Sequence, residues 1–405
     1  LLGRLMNTDL FSIENVEMRK KHLHRMLDVV VDELERQEQP EREKPKTLVR
    51  LEPGGKESAM REVSPLLAER MNKIINRVVQ ARLEGDGRPF IVGHLITQNC
   101  MCNCKSCLWK HNDYEDVPFE DIRKFYAQAA EEGFLATAFS GGEPFLRKDL
   151  GEIVKFVKEE ADMGILLFTT GWFLEERMDE VLPYIDMLVL SLDSARPEIH
   201  DHIRGLPGLF DRLMKGVDLV NKKYPDVSKQ FNVCVQKGIA EEIDDLIALA
   251  EEKGLQMSFD VISEYRHGEG DTHFVETNMG LPLQELRGVC AYLLEKKREG
   301  APILNSGLYF KYFVEGKPGY KCHLPKLAIC MLDGRGYVEN CLNLDNPIAN
   351  IREMPLKEIM ELPRFKQLRV DAEACCSCNS PNMVDLSHLW ENPQLVFEQG
   401  GIALG

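Results

Sequence analysis

The stretch Ile91-Val92-Gly93-His94-Leu95-Ile96-Thr97-Gln98-Asn99-Cys100-Met101-Cys102-Asn103-Cys104-Lys105-Ser106-Cys107 places an apolar run directly before a C-x3-C-x2-C triad. The run reads as a strand, so Cys100, Cys104 and Cys107 fall on the loop after its C-terminal end. α/β barrels carry their chemistry at that end of their strands. Three thiolates offered to an iron–sulfur cluster, which normally takes four, leave one iron open to a small molecule. Threesomes that use Cys102 lack this spacing, so Cys102 reads as a spectator or packed thiol rather than a ligand. A zinc site completed by His94 or His111 is the plainer alternative, because structural zinc wants a fourth ligand.

Working outward, strands alternate with helices from residue 90. The strand candidates are 90–97, 136–140, 165–170, 187–193, 231–236 and 257–262, with helices over 119–132, 150–160, 174–182, 209–223 and 243–253. Such alternation implies a parallel sheet with right-handed crossovers. Six units fall short of the eight in a closed barrel. The expected fold class is therefore α/β, a partial (β/α)6 barrel over 86–290 that a helix at 281–298 closes off. An N-terminal helical region over 1–85 precedes it, with apolar residues at helical spacing in 16–34, a charged linker at 35–46 and an amphipathic helix over 64–83. A small α+β region over 291–405 follows and carries the remaining cysteines.

Composition narrows the function. The chain has 405 residues, 44% hydrophobic and 29% charged, as in a soluble globular protein. A net charge of −16 disfavours nucleic acid as a partner. No apolar run reaches the roughly 18–20 residues that cross a bilayer, and no export signal opens the chain. A cytoplasmic location is expected, with peripheral membrane contact open to the amphipathic helices. Ten of the twelve cysteines fall in two groups, 100–107 and 322–378, which favours metal ligation over disulfides. Cys234 and Cys290 stand apart and read as small buried hydrophobes.

The other polar motifs also fall at strand ends. Ser140-Gly141-Gly142-Glu143-Pro144 closes the second strand, Thr169-Thr170-Gly171 the third, and Ser191-Leu192-Asp193 the fourth. His200-Asp201-His202-Ile203-Arg204-Gly205 follows shortly after. Paired glycines admit a close approach of backbone to ligand.

In order and spacing these motifs resemble the radical S-adenosylmethionine (SAM) superfamily over residues 86–290. One departure is Ser106, at a position that is often aromatic in that family; Trp109 is the nearest aromatic. The resemblance implies that Cys100, Cys104 and Cys107 hold a 4Fe–4S cluster whose fourth iron takes the amino and carboxylate groups of SAM. It implies that Gly141, Gly142 and Glu143 bind the SAM amino group, and that Ser191 and Arg204 contact its carboxylate and ribose. Thr170 and Asp193 join the expected SAM contacts, although a turn-capping role suits Asp193 equally. The chemistry implied is reductive cleavage of SAM to a 5′-deoxyadenosyl radical that removes hydrogen from an unactivated C–H bond.

The second group includes Cys322-x13-Gly336-x4-Cys341 and Cys375-Cys376-Ser377-Cys378, with Asp333-Gly334-Arg335-Gly336 as a hairpin turn. It looks like the twitch or shortened SPASM domain of radical SAM enzymes. That likeness implies one auxiliary 4Fe–4S cluster on Cys322, Cys341, Cys375 and Cys378; Cys330 and Cys376 are alternative ligands, and a zinc ribbon is the plain alternative. The expected partners are an electron donor such as ferredoxin or flavodoxin and a lipid, isoprenoid or peptide substrate. C–C or C–S bond formation or oxidation would follow. Glu264, Tyr265, Arg266 and His267 face the expected mouth, while Tyr309, Phe310, Tyr312 and Phe313 read as core or cavity wall. The competing class is a non-catalytic two-cluster electron-transfer or scaffold protein, which would need no SAM pocket.

Overall fold

The computed structural model describes residues 73–392 except 75, 83–86, 108–114, 264, 269–274, 277, 318–319, 340, 342–343, 346 and 376–377. The helix expected at 16–34, the linker at 35–46 and most of the helix at 64–83 lie outside the described residues.

Six parallel strands stand in chain order: β1 (Ile91–Thr97), β2 (Ala136–Gly141), β3 (Gly164–Thr169), β4 (Met187–Ser191), β5 (Ser228–Val235) and β6 (Gln256–Val261). Between them run α1 (Phe119–Glu131), α2 (Leu150–Glu159), α3 (Leu174–Val181), α4 (Pro197–Arg204), α5 (Leu209–Lys223) and α6 (Ile243–Lys253). The sheet stays open, as six units predict. Strands β3 and β4 are apolar on nearly every residue because helices cover one face and the barrel interior the other. Helices α2 and α5 present Ile153, Val154 and Val157, and Leu213, Val217 and Val220, at spacings of three and four. These side chains join Phe139, Leu188 and Phe231 in one core.

The C-terminal segment does not form a sheet of its own. After a short pairing of β7 (Tyr265–Gly268) with β8 (Val275–Glu276), α7 (Leu283–Glu299) and α8 (Gly307–Val314) pack on the barrel. Strand β9 (Ala328–Leu332) then lies parallel to β1 and extends the same sheet. It pairs antiparallel with β10 (Tyr337–Glu339) across the expected turn, where Asp333 Oδ1 accepts from Arg335 N at 3.0 Å and Tyr337 N at 2.8 Å. Strand β11 (Leu344–Asp345) pairs with β7, and β12 (Ala349–Asn350) is the outer edge beside β10. Helices α9 (Leu356–Glu361), α10 (Pro363–Ala372) and α11 (Pro381–Glu391) complete the chain as described. Gly93 is what lets β9 come so close: a Cβ there would sit 2.3 Å from the Cys330 carbonyl oxygen.

A second core cluster joins the first and last of the described helices. Ile74, Val78 and Ala81, in helical residues 73–82, pack with Phe90, Leu324, Met383 and Trp390. Arg82 donates to the carbonyl oxygens of Trp390 and Glu391 and lies over the Trp390 ring. Tyr309, Phe310, Tyr312 and Phe313 are buried core of α8.

Candidate functional site

The loops beyond the C-terminal ends of β1 to β6 enclose a cavity of about 660 Å³. Cys100, Cys104 and Cys107 line it together with Gly141, Gly142, Thr170, Ser191 and Arg204. Most of the residues singled out by spacing therefore share one chamber.

The cysteine loop hangs from the end of α4. Asn103 N donates to Arg204 O at 2.9 Å and Lys105 N to Ile203 O at 3.2 Å. Cys102 lines the cavity, and its N–H meets Cys100 Sγ at 3.4 Å. The Cys102 thiol sits between Cys100 and Cys104, keeps its own proton, and by hydrogen bonding lowers the pKa of both neighbours. Cys104 reaches about 6, helped further by Arg204 against the effect of burial.

The turn after β2 is locked to the same loop. Gly142 N donates to Thr97 O at 2.7 Å and Glu143 N to Asn99 O at 2.8 Å. Gly141 has φ +128°, and a Cβ on it would lie 2.0 Å from Thr97 O, so only glycine fits. Glu143 itself does not line the cavity. Its carboxylate is fully buried, is absent from the cavity wall, and accepts from Thr169 Oγ1 (2.8 Å), Thr170 N (2.8 Å), Thr170 Oγ1 (2.6 Å) and Phe145 N (3.1 Å). Burial raises its pKa, and the Thr170 and Thr169 bonds act against that rise. The side chain thus ties the turns after β2 and β3 together and leaves the backbone of Gly141 and Gly142 to face the cavity.

Asp193 likewise sits behind the wall. Its Oδ2 holds Arg204 Nε at 2.6 Å, its Oδ1 accepts from Cys234 N at 3.1 Å, and its own N–H donates to His200 Nδ1 at 3.2 Å. Burial works against the Arg204 charge, but Asp193 and then Cys104 outweigh it and raise the pKa. Arg204 Nη1 lies 4.0 Å from Cys104 Sγ, so a fixed cation stands over the cysteine loop. Buried His200 is pushed down to about 4 by desolvation, then by Arg204, and stays neutral. His202, near the loop, meets Lys105 Nζ at 2.7 Å.

Among the cavity residues that spacing alone missed, two carry reactive groups. Cys234 is on the wall, not a core filler like the buried Cys290. Asp260, next to the end of β6, also faces the cavity, and burial raises its carboxyl to about 7. An acid inside the apolar run 257–262 was the available signal. Trp109, His111 and Glu264, and the side chains of Tyr265, Arg266 and His267, lie outside the described residues.

The second cysteine group gathers where β9, β10 and the start of α11 meet. Cys378 is raised to about 12 by burial and then by charge on Cys322, Cys341 and Cys375. Cys330 is buried on β9, its Sγ 3.8 Å from Met383 Sδ. Cys376 lies outside the described residues. Two residues beyond Cys378, Ser380 lines the first cavity, and Asn379 Nδ2 donates to Ile262 O at 2.8 Å. Among the described residues no three His, Cys, Asp or Glu side chains converge on one point as a single ion demands.

The radical SAM superfamily model matches residues 95–250, and over that stretch the chain is a radical SAM domain. An AdoMet-dependent heme synthase of Methanosarcina barkeri is 28% identical over 318 residues, 72% of this chain and 87% of that protein. A GTP 3',8-cyclase of Nautilia profundicola is 29% identical over 40% of this chain and 53% of its own length. Streptococcus suis SuiB, bound to its precursor peptide SuiA, superposes with a TM-score of 0.59 at 18% identity, covering 87% of this chain and 80% of SuiB. The chain thus contains a radical SAM domain, and the radical SAM family uses a 4Fe–4S cluster and SAM. No helix among the described residues is long and apolar enough to cross a membrane.

Proposed function

We propose that this enzyme abstracts hydrogen from an unactivated C–H bond, in a catalytic barrel over 86–290 with an auxiliary-cluster region over 291–405. One observation carries the reading: the three triad cysteines, the Gly141–Gly142 backbone, Ser191 and Arg204 line the same chamber. Cys100, Cys104 and Cys107 would hold the first 4Fe–4S cluster. When bound, the cluster and SAM together supply a 5′-deoxyadenosyl radical. Around them the Gly141 and Gly142 carbonyls would accept from the SAM amino group, with Thr170 beside them. Glu143 would act from behind by fixing both turns. Ser191 and Arg204 would hold the SAM carboxylate and ribose, with Asp193 keeping Arg204 charged and aimed.

Cys322, Cys341, Cys375 and Cys378 would hold one auxiliary 4Fe–4S cluster, and an electron donor such as ferredoxin or flavodoxin would supply reducing equivalents. Oxidation of the substrate, or C–C or C–S bond formation on it, would follow. Of the substrates in view, a polar peptide-like molecule suits the chamber better than a lipid or isoprenoid. Gln98, Asn103, Ser106, Ser263 and Ser380 line it beside Met101, Phe168, Val261 and Ile262, a mixed wall on which a pure hydrocarbon tail would strand the polar groups without partners. The test is anaerobic reconstitution followed by dithionite and SAM. Wild type should form 5′-deoxyadenosine, and none should appear with Cys104→Ala; equal formation by the variant rejects the ligand set.

A further inference from the structure

Within the proposed catalytic chamber, on which this inference rests, we propose that Asp260 anchors a cationic group of the substrate, so that the enzyme selects a primary ammonium over a carboxylate or a plain hydrocarbon. Arg204 and Asp260 bring opposite charges to the cavity wall. Arg204 is already neutralised by Asp193 at 2.6 Å. Asp260 has no such partner: among the described residues its polar contact is Asn232 Nδ2 at 3.5 Å, a long and neutral one.

The network behind Asp260 supplies no charge either. Asn232 Oδ1 accepts from Ser258 Oγ at 2.5 Å, and Ser258 Oγ accepts from Gln230 Nε2 at 3.2 Å. The charge acting on Asp260 from α11 is Asp385, another carboxylate, which works against its ionisation. Lys297 acts on Asp385 instead. A carboxylate enclosed by protein without a countercharge is costly, and a ligand cation offsets that cost.

Gln98 is a further polar group at the wall. Gln98 is only 8% exposed and lines the cavity just beyond β1, and its Oε1 has no hydrogen-bond partner. A wall carboxylate with no cationic partner among the described residues matches an ammonium, which has three donors and no acceptor.

The test is thermal unfolding of anaerobically reconstituted, SAM-loaded enzyme with n-butylammonium, n-butanol or butyrate at equal concentration. Butylammonium alone should stabilise wild type. Its apparent affinity should fall about tenfold or more in Asp260→Asn, the loss of a charge-assisted bond, and return in part in Asp260→Glu. Equal or stronger stabilisation by butyrate, the same response to all three probes, no response to any, or an undiminished response in Asp260→Asn overturns the assignment. So does a fall in SAM affinity of Asp260→Asn in equilibrium dialysis, since Asp260 would then serve the cofactor. Failure of wild type to form 5′-deoxyadenosine would instead reject the radical reading and leave the probe series to decide the ammonium preference.

Discussion

The two cysteine groups of this chain are built in opposite ways. The first occupies eight consecutive positions, 100–107, on a loop pinned at one end by β1 and along its length by the end of α4. The second is spread over 322–378 and gathers because β9 adds to β1 and α11 packs against Tyr312 and Tyr320. A local group keeps its spacing whatever the rest of the fold does. A dispersed one exists only if long-range packing is intact, so the two should fail differently.

The largest expected effect separates the groups directly. Wild type should carry about eight irons, from two four-iron clusters. Cys104→Ala and Cys378→Ala should each bring the count to about four. The electron paramagnetic resonance signal should respond to SAM in Cys378→Ala but not in Cys104→Ala. A response in both, or in neither, would merge the two sites or remove one.

Next in size is Gly93→Ala. Its new Cβ would meet the Cys330 carbonyl oxygen at 2.3 Å, which forces β1 and β9 apart. Loss of roughly 3 kcal/mol or more in chemical denaturation follows from overpacking a backbone contact. The second cluster should be lost before the first; equal loss would mean that β1–β9 pairing does not control the dispersed group.

Asp193→Asn is smaller and acts on the first group alone. Removing the carboxylate that charges and aims Arg204 should weaken SAM binding about 10- to 100-fold, as loss of a charge-assisted contact does. Isothermal titration with SAM measures this, and unaltered affinity would reduce Asp193 to a turn cap.

The smallest effect is on stability against pH. Asp260 has a folded pKa of about 7 against an ordinary 3.8, because of burial and, after the opposing Asn232 bond, Asp385. Its neutral form is thus favoured by folding, and wild type loses stability as pH rises from about 4 through 7. Cys234 and Tyr309, which also face it, are held protonated above that window. Asp260→Asn should therefore gain on wild type across that window and level off above it. Roughly 1–2 kcal/mol is expected, the full shift being reduced by the water that the cavity admits. A constant difference between the two proteins would show that Asp260 does not titrate there.

The barrel was legible because its signals are local. The observed helices at Leu209–Lys223 and Ile243–Lys253 have the expected bounds, since amphipathic spacing and a following Tyr224 or Gly254 mark each end. Helix α4 was not anticipated; its eight residues carry His200, Asp201, His202 and Arg204, a polar run with weak periodicity. The roles of Glu143 and Asp193 were not legible either. A carboxylate at a strand end looks the same in sequence whether it faces the cavity or turns inward.

By itself the amino-acid sequence determined the open six-unit barrel and the chamber made at its strand ends, because period, turn residues and cysteine spacing act within a few positions of one another. Only the tertiary structure decided that β9 continues the barrel sheet, that Glu143 and Asp193 stand behind the wall, and that Asp260 faces the cavity with no cation beside it among the described residues. Those outcomes depend on which distant strands and helices share space, and contacts between residues far apart in the chain leave no local pattern to read.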